Sequence, residues 1–105
     1  MFPIQTFLDR FGALLEQLDA LTEDCADDAA EDLEDLNAEL EDALLMLGEI
    51  KPEGEDWREE LSETLEEIRA LAEDYERLSP RAPEVESLAS RLRSTADMAV
   101  NNLDS

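Results

Sequence analysis

The sequence predicts an all-α fold, namely a small antiparallel bundle of four helices in a single domain that spans residues 1–105. Eighteen leucines point to helices, whereas three glycines and four prolines leave long stretches without a helix breaker. Apolar residues also recur at steps of three and four in four segments of similar length, as on one face of a helix. A chain of 105 residues can bury a modest core without a metal ion or a disulfide.

The first two segments follow the same rule. Pro3 suits the first turn of the first helix, whose apolar stripe comprises Ile4, Phe7, Leu8, Phe11, Leu14, Leu15, Leu18 and Leu21. The second stripe comprises Ala26, Ala29, Ala30, Leu33, Leu36, Leu40, Ala43, Leu44 and Leu47. We expect the second helix to end before Gly48, which would act as a C-cap glycine.

The two stripes differ in phase by one residue, since Cys25 continues the first heptad series and Ala26 begins the second. We therefore expect a break near residues 22–27, with Thr22 or Asp24 as the N-cap of the second helix. The alternative is one helix over residues 3–47, about 67 Å long at 1.5 Å per residue. Such a long helix would give a three-helix or a dimeric coiled arrangement. The two later helices, however, could cover only half of its length.

Proline and glycine separate the later segments. After the linker of residues 48–55, Asp56 can cap the third helix while Glu59 closes a capping box. The third stripe comprises Trp57, Leu61, Leu65, Ile68, Leu71, Ala72, Tyr75 and Leu78. Pro80 and Pro83 end that helix and suit the start of the next. The fourth stripe comprises Val85, Leu88, Leu92, Ala96, Ala99, Val100 and Leu103. Small residues on this last helix allow either close packing within the chain or a homodimer contact: Ala89, Ala96 and Ala99.

Composition excludes most catalytic and metal-binding chemistry. Histidine is absent and Lys51 is the single lysine, so nucleophile–base triads, the usual zinc sites and di-iron carboxylate sites cannot form. Residues 27–42 contain no glycine and are predicted to be helical, which excludes an EF-hand loop and leaves only weak, nonspecific binding of divalent ions. We therefore expect neither an enzyme nor a cofactor.

Three side chains that often have functional roles have simpler interpretations here. Cys25 has no partner for an internal disulfide, and its acidic neighbours disfavour the thiolate, so we expect a structural thiol. Trp57 could anchor a partner, but a core residue at a helix start is the favoured interpretation. Tyr75 lies on the third stripe and is expected in the core.

Charge is the feature that bears most directly on function. The net charge is −22, and residues 23–67 hold twenty acidic residues against Lys51 and Arg58. Such a surface repels phosphates and suits neither direct nucleic-acid binding nor a membrane surface, whereas it attracts a basic protein. Neither a signal peptide nor a membrane-spanning run is recognisable, so a cytoplasmic location is expected.

The acidic residues of the second and third segments form a candidate partner-binding surface. On the second, a row spaced by four, three, four and three residues shares one side of the helix: Asp28, Asp32, Asp35, Glu39 and Asp42. Asp27 and Glu31 lie beside this row, and the third segment adds Glu59, Glu63, Glu66 and Glu67. An all-acidic row costs about 0.2–0.5 kcal/mol per like-charged pair, so solubility alone is a poor reason for it.

Three explanations of this surface remain open. In the first, it imitates the DNA backbone and occupies the nucleic-acid site of a basic protein, because a duplex carries roughly 19–20 charges over the length of about 33 Å expected for the bundle. In the second, the protein is an acidic helical adaptor or chaperone for a basic protein partner. In the third, the surface is an adaptation to high salt, although residues 1–22 hold just three acidic residues.

Overall fold

Four helices make up almost the whole chain. The computed structural model describes residues 3–24, 27–51, 53–78, 80 and 82–104, and only the backbone of Asp27 and Asp104. The helices are α1 (Ile4–Asp24), α2 (Asp27–Glu49), α3 (Trp57–Leu78) and α4 (Pro83–Asp104). No strand occurs among the described residues. The prediction of an all-α bundle with four helices is therefore confirmed.

The helices close a ring in which each packs against its neighbours in the chain and α1 also packs against α4. Neighbouring helices run in opposite directions. In the first pair, Leu8 near the start of α1 lies beside Gly48 near the end of α2, whereas Asp19 lies beside Asn37. The bundle measures 46 × 21 × 18 Å.

One hydrophobic core runs through the bundle, and all four helices contribute to it. The predicted stripes supply most of its side chains, and each fully buried Leu or Phe stabilises the fold by about 1.5–3 kcal/mol relative to an exposed one. Tyr75 is completely buried, and Trp57 is half-buried against the same core. The small residues of α4 are also completely buried within the chain, which assigns them to internal packing rather than to a homodimer contact: Ala89, Ala96 and Ala99.

The break between the first two helices lies where the phase shift predicts it. α1 ends at Asp24 and α2 begins at Asp27, so the alternative of one helix over residues 3–47 is wrong. Thr22 does not cap α2, because it lies within α1 and its hydroxyl donates a hydrogen bond of 2.6 Å to the carbonyl oxygen of Asp19. A threonine hydroxyl often bonds the preceding turn in this way. The predictions for Cys25 and Ala26 lie outside the described residues.

The predicted end of α2 is wrong by two residues. The helix includes Gly48 and ends at Glu49, and Gly48 has no positive φ. Ile50 explains the extension, because it packs against the core and its N–H donates to the carbonyl oxygen of Leu47 at 3.3 Å. The positive φ, +87°, belongs instead to Gly54 in the linker, where a residue without Cβ adopts it without strain.

The start of α3 follows the prediction for the backbone but not for the side chains. Asp56 precedes the helix, and its carbonyl oxygen accepts the N–H of Glu60 at 3.2 Å. The predicted capping box does not form, because among the described residues neither the side chain of Asp56 nor that of Glu59 makes a hydrogen bond. α4 begins at Pro83, one of the two prolines that we expected to suit its start. A proline fits there because it lacks only an N–H that the first turn leaves unbonded.

Candidate functional site: an acidic groove between α2 and α3

A groove follows the seam between α2 and α3, and we call it the acidic groove. It consists of two adjoining hollows, and Met46 and Glu67 line both of them. Its α2 side consists of Glu39, Asp42, Ala43, Met46, Glu49 and Ile50. Its α3 side consists of Glu60, Glu63, Thr64, Glu67, Ala70, Leu71 and Asp74.

Carboxylates occupy both sides of the acidic groove. Three come from α2, namely Glu39, Asp42 and Glu49, and four come from α3, namely Glu60, Glu63, Glu67 and Asp74. Steps of three, four and seven residues place successive members of each set on one side of their helix. None of the residues that line the groove is Lys or Arg. Two rows of negative charge therefore flank the seam with no cation between them.

In the hollow that Glu39, Asp42 and Asp74 help to line, the residues between the two rows are apolar, namely Ala43, Met46, Ala70 and Leu71. Ala43 and Leu71 are buried beneath this hollow, whereas Met46 leaves 50% of its surface exposed in the middle of the groove. Leu45, the residue before it, is 62% exposed. The acidic surface thus includes apolar side chains whose exposure to water is unfavourable.

A buried polar network holds the helices on either side of the groove in place. Tyr75 of α3 donates its hydroxyl hydrogen to Asn37 Oδ1 of α2 at 2.7 Å, and Asn37 Nδ2 donates to Asp19 Oδ1 of α1 at 3.0 Å. Burial raises the pKa of Tyr75 well above its ordinary value of 10, and the negative charges of Asp19 and Glu39 add to this effect. Because each buried polar group has a specific partner, the network favours one register of α1, α2 and α3.

Two arginines form ion pairs across another seam of the bundle. Between α3 and α4, Arg69 Nε lies 2.9 Å from Asp97 Oδ1, and Arg93 lies 3.9 Å from Glu73 and 3.5 Å from Glu76. At the end of the acidic groove, Arg77 also lies 3.4 Å from Asp74, its neighbour on α3. Each of these pairs is partly exposed and contributes little to stability, but each neutralises a carboxylate outside the middle of the groove.

The seam between α1 and α4 also forms a groove, and its chemistry differs. We call it the α1/α4 groove. Its residues from α1 are Arg10, Ala13, Leu14, Gln17, Ala20 and Leu21, and those from α4 are Glu84, Ser87, Leu88, Ser90, Arg91, Ser94, Thr95 and Met98. Two arginines accompany a single carboxylate there, and the other polar residues are uncharged.

The predicted partner-binding residues divide into three groups. Those that line the acidic groove are Glu39, Asp42, Glu63 and Glu67. Those exposed on α2 or α3 outside its lining are Asp28, Glu31, Asp32, Asp35, Glu59 and Glu66. Asp27 begins α2, but its side chain lies outside the described residues.

The predicted partner-binding set lacks three carboxylates of the groove, namely Glu49, Glu60 and Asp74, and sequence reasoning did not single out the central residue of the network. Glu49 follows Asp42 by seven residues and therefore extends the predicted row past Met46, and Glu60 precedes Glu63 by three. Asn37 is 4% exposed and lies four residues after Leu33 and three before Leu40, within an apolar stripe. A polar residue at such a position is a signal for a buried hydrogen bond.

The net charge per unit length of the bundle is somewhat lower than expected, because the bundle is longer than the predicted length of about 33 Å. A net charge of −22 over the long dimension of 46 Å is one charge per about 2.1 Å. A B-form duplex has one charge per roughly 1.7 Å. The whole molecule therefore has about four fifths of the linear charge density of DNA, but the uneven distribution raises the local value at the acidic groove.

Two further features delimit the chemistry of the described residues. Within them, no group of three or more Asp, Glu, Cys or His side chains is arranged to hold a metal ion. None of the four helices combines the length and the apolar character needed to cross a bilayer. The chain matches no protein-family model, no curated protein and no solved structure.

Proposed function

We propose that the protein is a non-enzymatic acidic binding protein of the cytoplasm that imitates DNA. It presents the acidic groove to the nucleic-acid site of a basic protein and thereby inhibits or regulates that protein. The observation that supports this function best is the pair of carboxylate rows along one groove, with no Lys or Arg among the lining residues. Both the sign of the charge and its arrangement in two rows suit a site that otherwise binds a phosphate backbone.

The two carboxylate rows also have an energetic consequence. Carboxylates that face each other repel, and this repulsion is relieved when a cationic partner binds. Association then releases the counterions that both surfaces held, so affinity should fall steeply as salt rises. Within the chain, Arg69 and Arg93 pair with carboxylates at the α3/α4 seam instead, and Arg77 pairs with Asp74 at the end of the groove.

A competition experiment with matched variants tests this function. Proteins captured on the immobilised chain and eluted by a salt gradient are assayed for binding of a labelled DNA or RNA. The groove variant is Glu39→Gln, Glu63→Gln and Glu67→Gln together, and the control variant is Glu16→Gln, Glu23→Gln and Glu86→Gln, which removes the same charge from exposed sites outside the groove.

We expect the wild-type protein and the control variant to displace the nucleic acid from a captured partner, and the groove variant to displace it poorly. A partner that keeps its nucleic acid when saturated with wild-type protein contradicts mimicry.

That outcome would support a second function, an acidic adaptor or chaperone for a basic protein partner. The observation in its favour is the exposure of Leu45 and Met46 within the acidic surface, because a phosphate backbone has no counterpart to these side chains. An adaptor would contact its partner outside the nucleic-acid site.

A further inference from the structure

The acidic groove has the dimensions of a receptor for a helix. Its lining residues span positions 39–50 on the α2 side and 60–74 on the α3 side. At 1.5 Å per residue these stretches are about 16 and 21 Å long, which is the length of a helix of about 11–14 residues. A groove between two packed helices is also a shape into which the side-chain ridges of a third helix fit.

Exposed apolar side chains provide an observation independent of charge. In the described part of the chain, three large hydrophobic residues are exposed, namely Leu45, Met46 and Met98. The first two are consecutive on α2, and Met46 lines both hollows between the carboxylate rows. A methionine side chain is flexible and polarisable, so it adapts to an apolar side chain that packs on it.

The major groove of DNA combines the same features. It is about 12 Å wide, admits an α-helix and presents apolar thymine methyl groups among its base edges, and phosphates outside it position the protein. In the acidic groove, the carboxylates of α2 and α3 take the place of the phosphates. Met46, above the buried Ala43 and Leu71, takes the place of the apolar base edges.

We propose, on the basis of the proposed function, that the acidic groove receives a cationic α-helix of the partner, a helix that otherwise reads DNA in the major groove. Lys and Arg on its two flanks pair with the carboxylates of α2 and of α3, and an apolar side chain between them packs on Met46. A flat cationic surface would leave Met46 in water, so charge complementarity and burial together favour a helix.

Two synthetic helical peptides of equal charge test this occupant on the full-length protein. Both have Lys and Arg along two flanks, and the central residue between the flanks is leucine in one peptide and serine in the other. We expect the leucine peptide to bind about tenfold more tightly in fluorescence anisotropy, because it buries an apolar side chain on Met46. Both affinities should fall in parallel as salt rises, since the peptides make the same ionic contacts.

Two methionine variants provide the control. Met46→Ser should abolish the tenfold difference between the peptides. Met98→Ser should preserve it, because Met98 is similarly exposed, 44% against 50% for Met46, but lies in the α1/α4 groove. Thermal unfolding of both variants verifies that they fold. Equal affinities of the two peptides for the wild-type protein, or equal effects of the two substitutions, overturn the proposal.

These outcomes are separable from the test of mimicry. If the protein displaces nucleic acid from its partner and Met46→Ser has no effect on that displacement, the helical occupant is wrong and the proposed function stands. If the leucine peptide binds in a Met46-dependent manner but the partner keeps its nucleic acid, the helical occupant is supported and mimicry is refuted.

Discussion

The two grooves on opposite sides of this bundle are built alike but differ in charge. Each lies between two antiparallel helices, and each contains a methionine that is about half exposed, Met46 in one and Met98 in the other. Seven carboxylates and no cation line the acidic groove, whereas two arginines, one glutamate and several hydroxyl groups line the α1/α4 groove. The α1/α4 groove is nearly neutral, so the fold of the bundle does not require the acidic groove to be acidic. The two seams of one fold therefore differ in charge without a structural need for that difference.

The largest expected effect concerns affinity for the cationic leucine peptide. The groove variant removes three carboxylates of the acidic groove, and a hydrogen bond to a charged group contributes about 1.5–3 kcal/mol. We therefore expect it to bind the peptide at least about a hundredfold more weakly at low salt. The control variant, with the same net charge, should lose far less, because distant charges act only through screened long-range attraction. Titrations of both variants at a fixed low salt concentration measure this difference. Similar losses in the two variants would show that net charge, rather than the groove, determines binding.

The second effect concerns the network that keeps α2 and α3 in register. Asn37→Leu removes both hydrogen bonds of Asn37 and leaves the hydroxyl of Tyr75 buried without a partner. Such an unsatisfied group costs about 1–3 kcal/mol, so we expect urea unfolding to show a loss near 2 kcal/mol. Combining Asn37→Leu with Tyr75→Phe should cost less than Asn37→Leu alone, because the orphaned hydroxyl is then also removed. A double variant less stable than the single one would mean that packing, rather than hydrogen bonding, is the main role of Asn37.

The third effect is a dependence on pH that the buried tyrosine introduces. The folded state raises the pKa of Tyr75 above 10, so above about pH 10 the unfolded chain loses this proton while the folded chain retains it. Stability should be unaffected by this group below pH 10 and should fall above it by about 1.4 kcal/mol per pH unit. Tyr75 is the single tyrosine of the chain, so tyrosinate absorbance reports on it directly and should appear only with unfolding. Ionisation near pH 10 in a folded protein would contradict this, and Tyr75→Phe should remove the slope.

Much of the fold follows from local rules, whereas the site depends on contacts between helices. Apolar steps of three and four residues predict the four stripes, and the phase shift at Ala26 predicts the break before α2. The extension of α2 past Gly48 escapes such rules, since it depends on the packing of Ile50 against the core.

Helical phase likewise aligns Glu39 and Asp42 on one side of α2, but it does not say which helix lies opposite. That the opposite carboxylates include Glu60 and Glu63 follows only from the ring order of the bundle. Asn37 shows the same limit, because its place within an apolar stripe indicates a buried polar contact but identifies neither Asp19 nor Tyr75 as the partner.

The smallest expected effect is on stability, and it distinguishes the acidic groove from a general adaptation to salt. Glu67→Gln removes one charge from the centre of the groove and should stabilise the fold by about 0.2–0.5 kcal/mol, the size of a like-charge pair on a helix. The matched change Glu16→Gln, on an exposed part of α1, should have a smaller effect. The gain in stability should shrink in 1 M salt, where the Debye length falls to about 3 Å.

Urea unfolding in dilute buffer and in 1 M salt measures the free energy of unfolding of both variants and of the wild-type chain. A wild-type chain that folds only at molar salt would support the high-salt explanation, in which the difference between the two grooves has no functional meaning. A binding surface whose carboxylates repel one another predicts the opposite result. The wild-type chain then unfolds cooperatively in dilute buffer, and Glu67→Gln stabilises it more than Glu16→Gln does, by an amount that shrinks in 1 M salt.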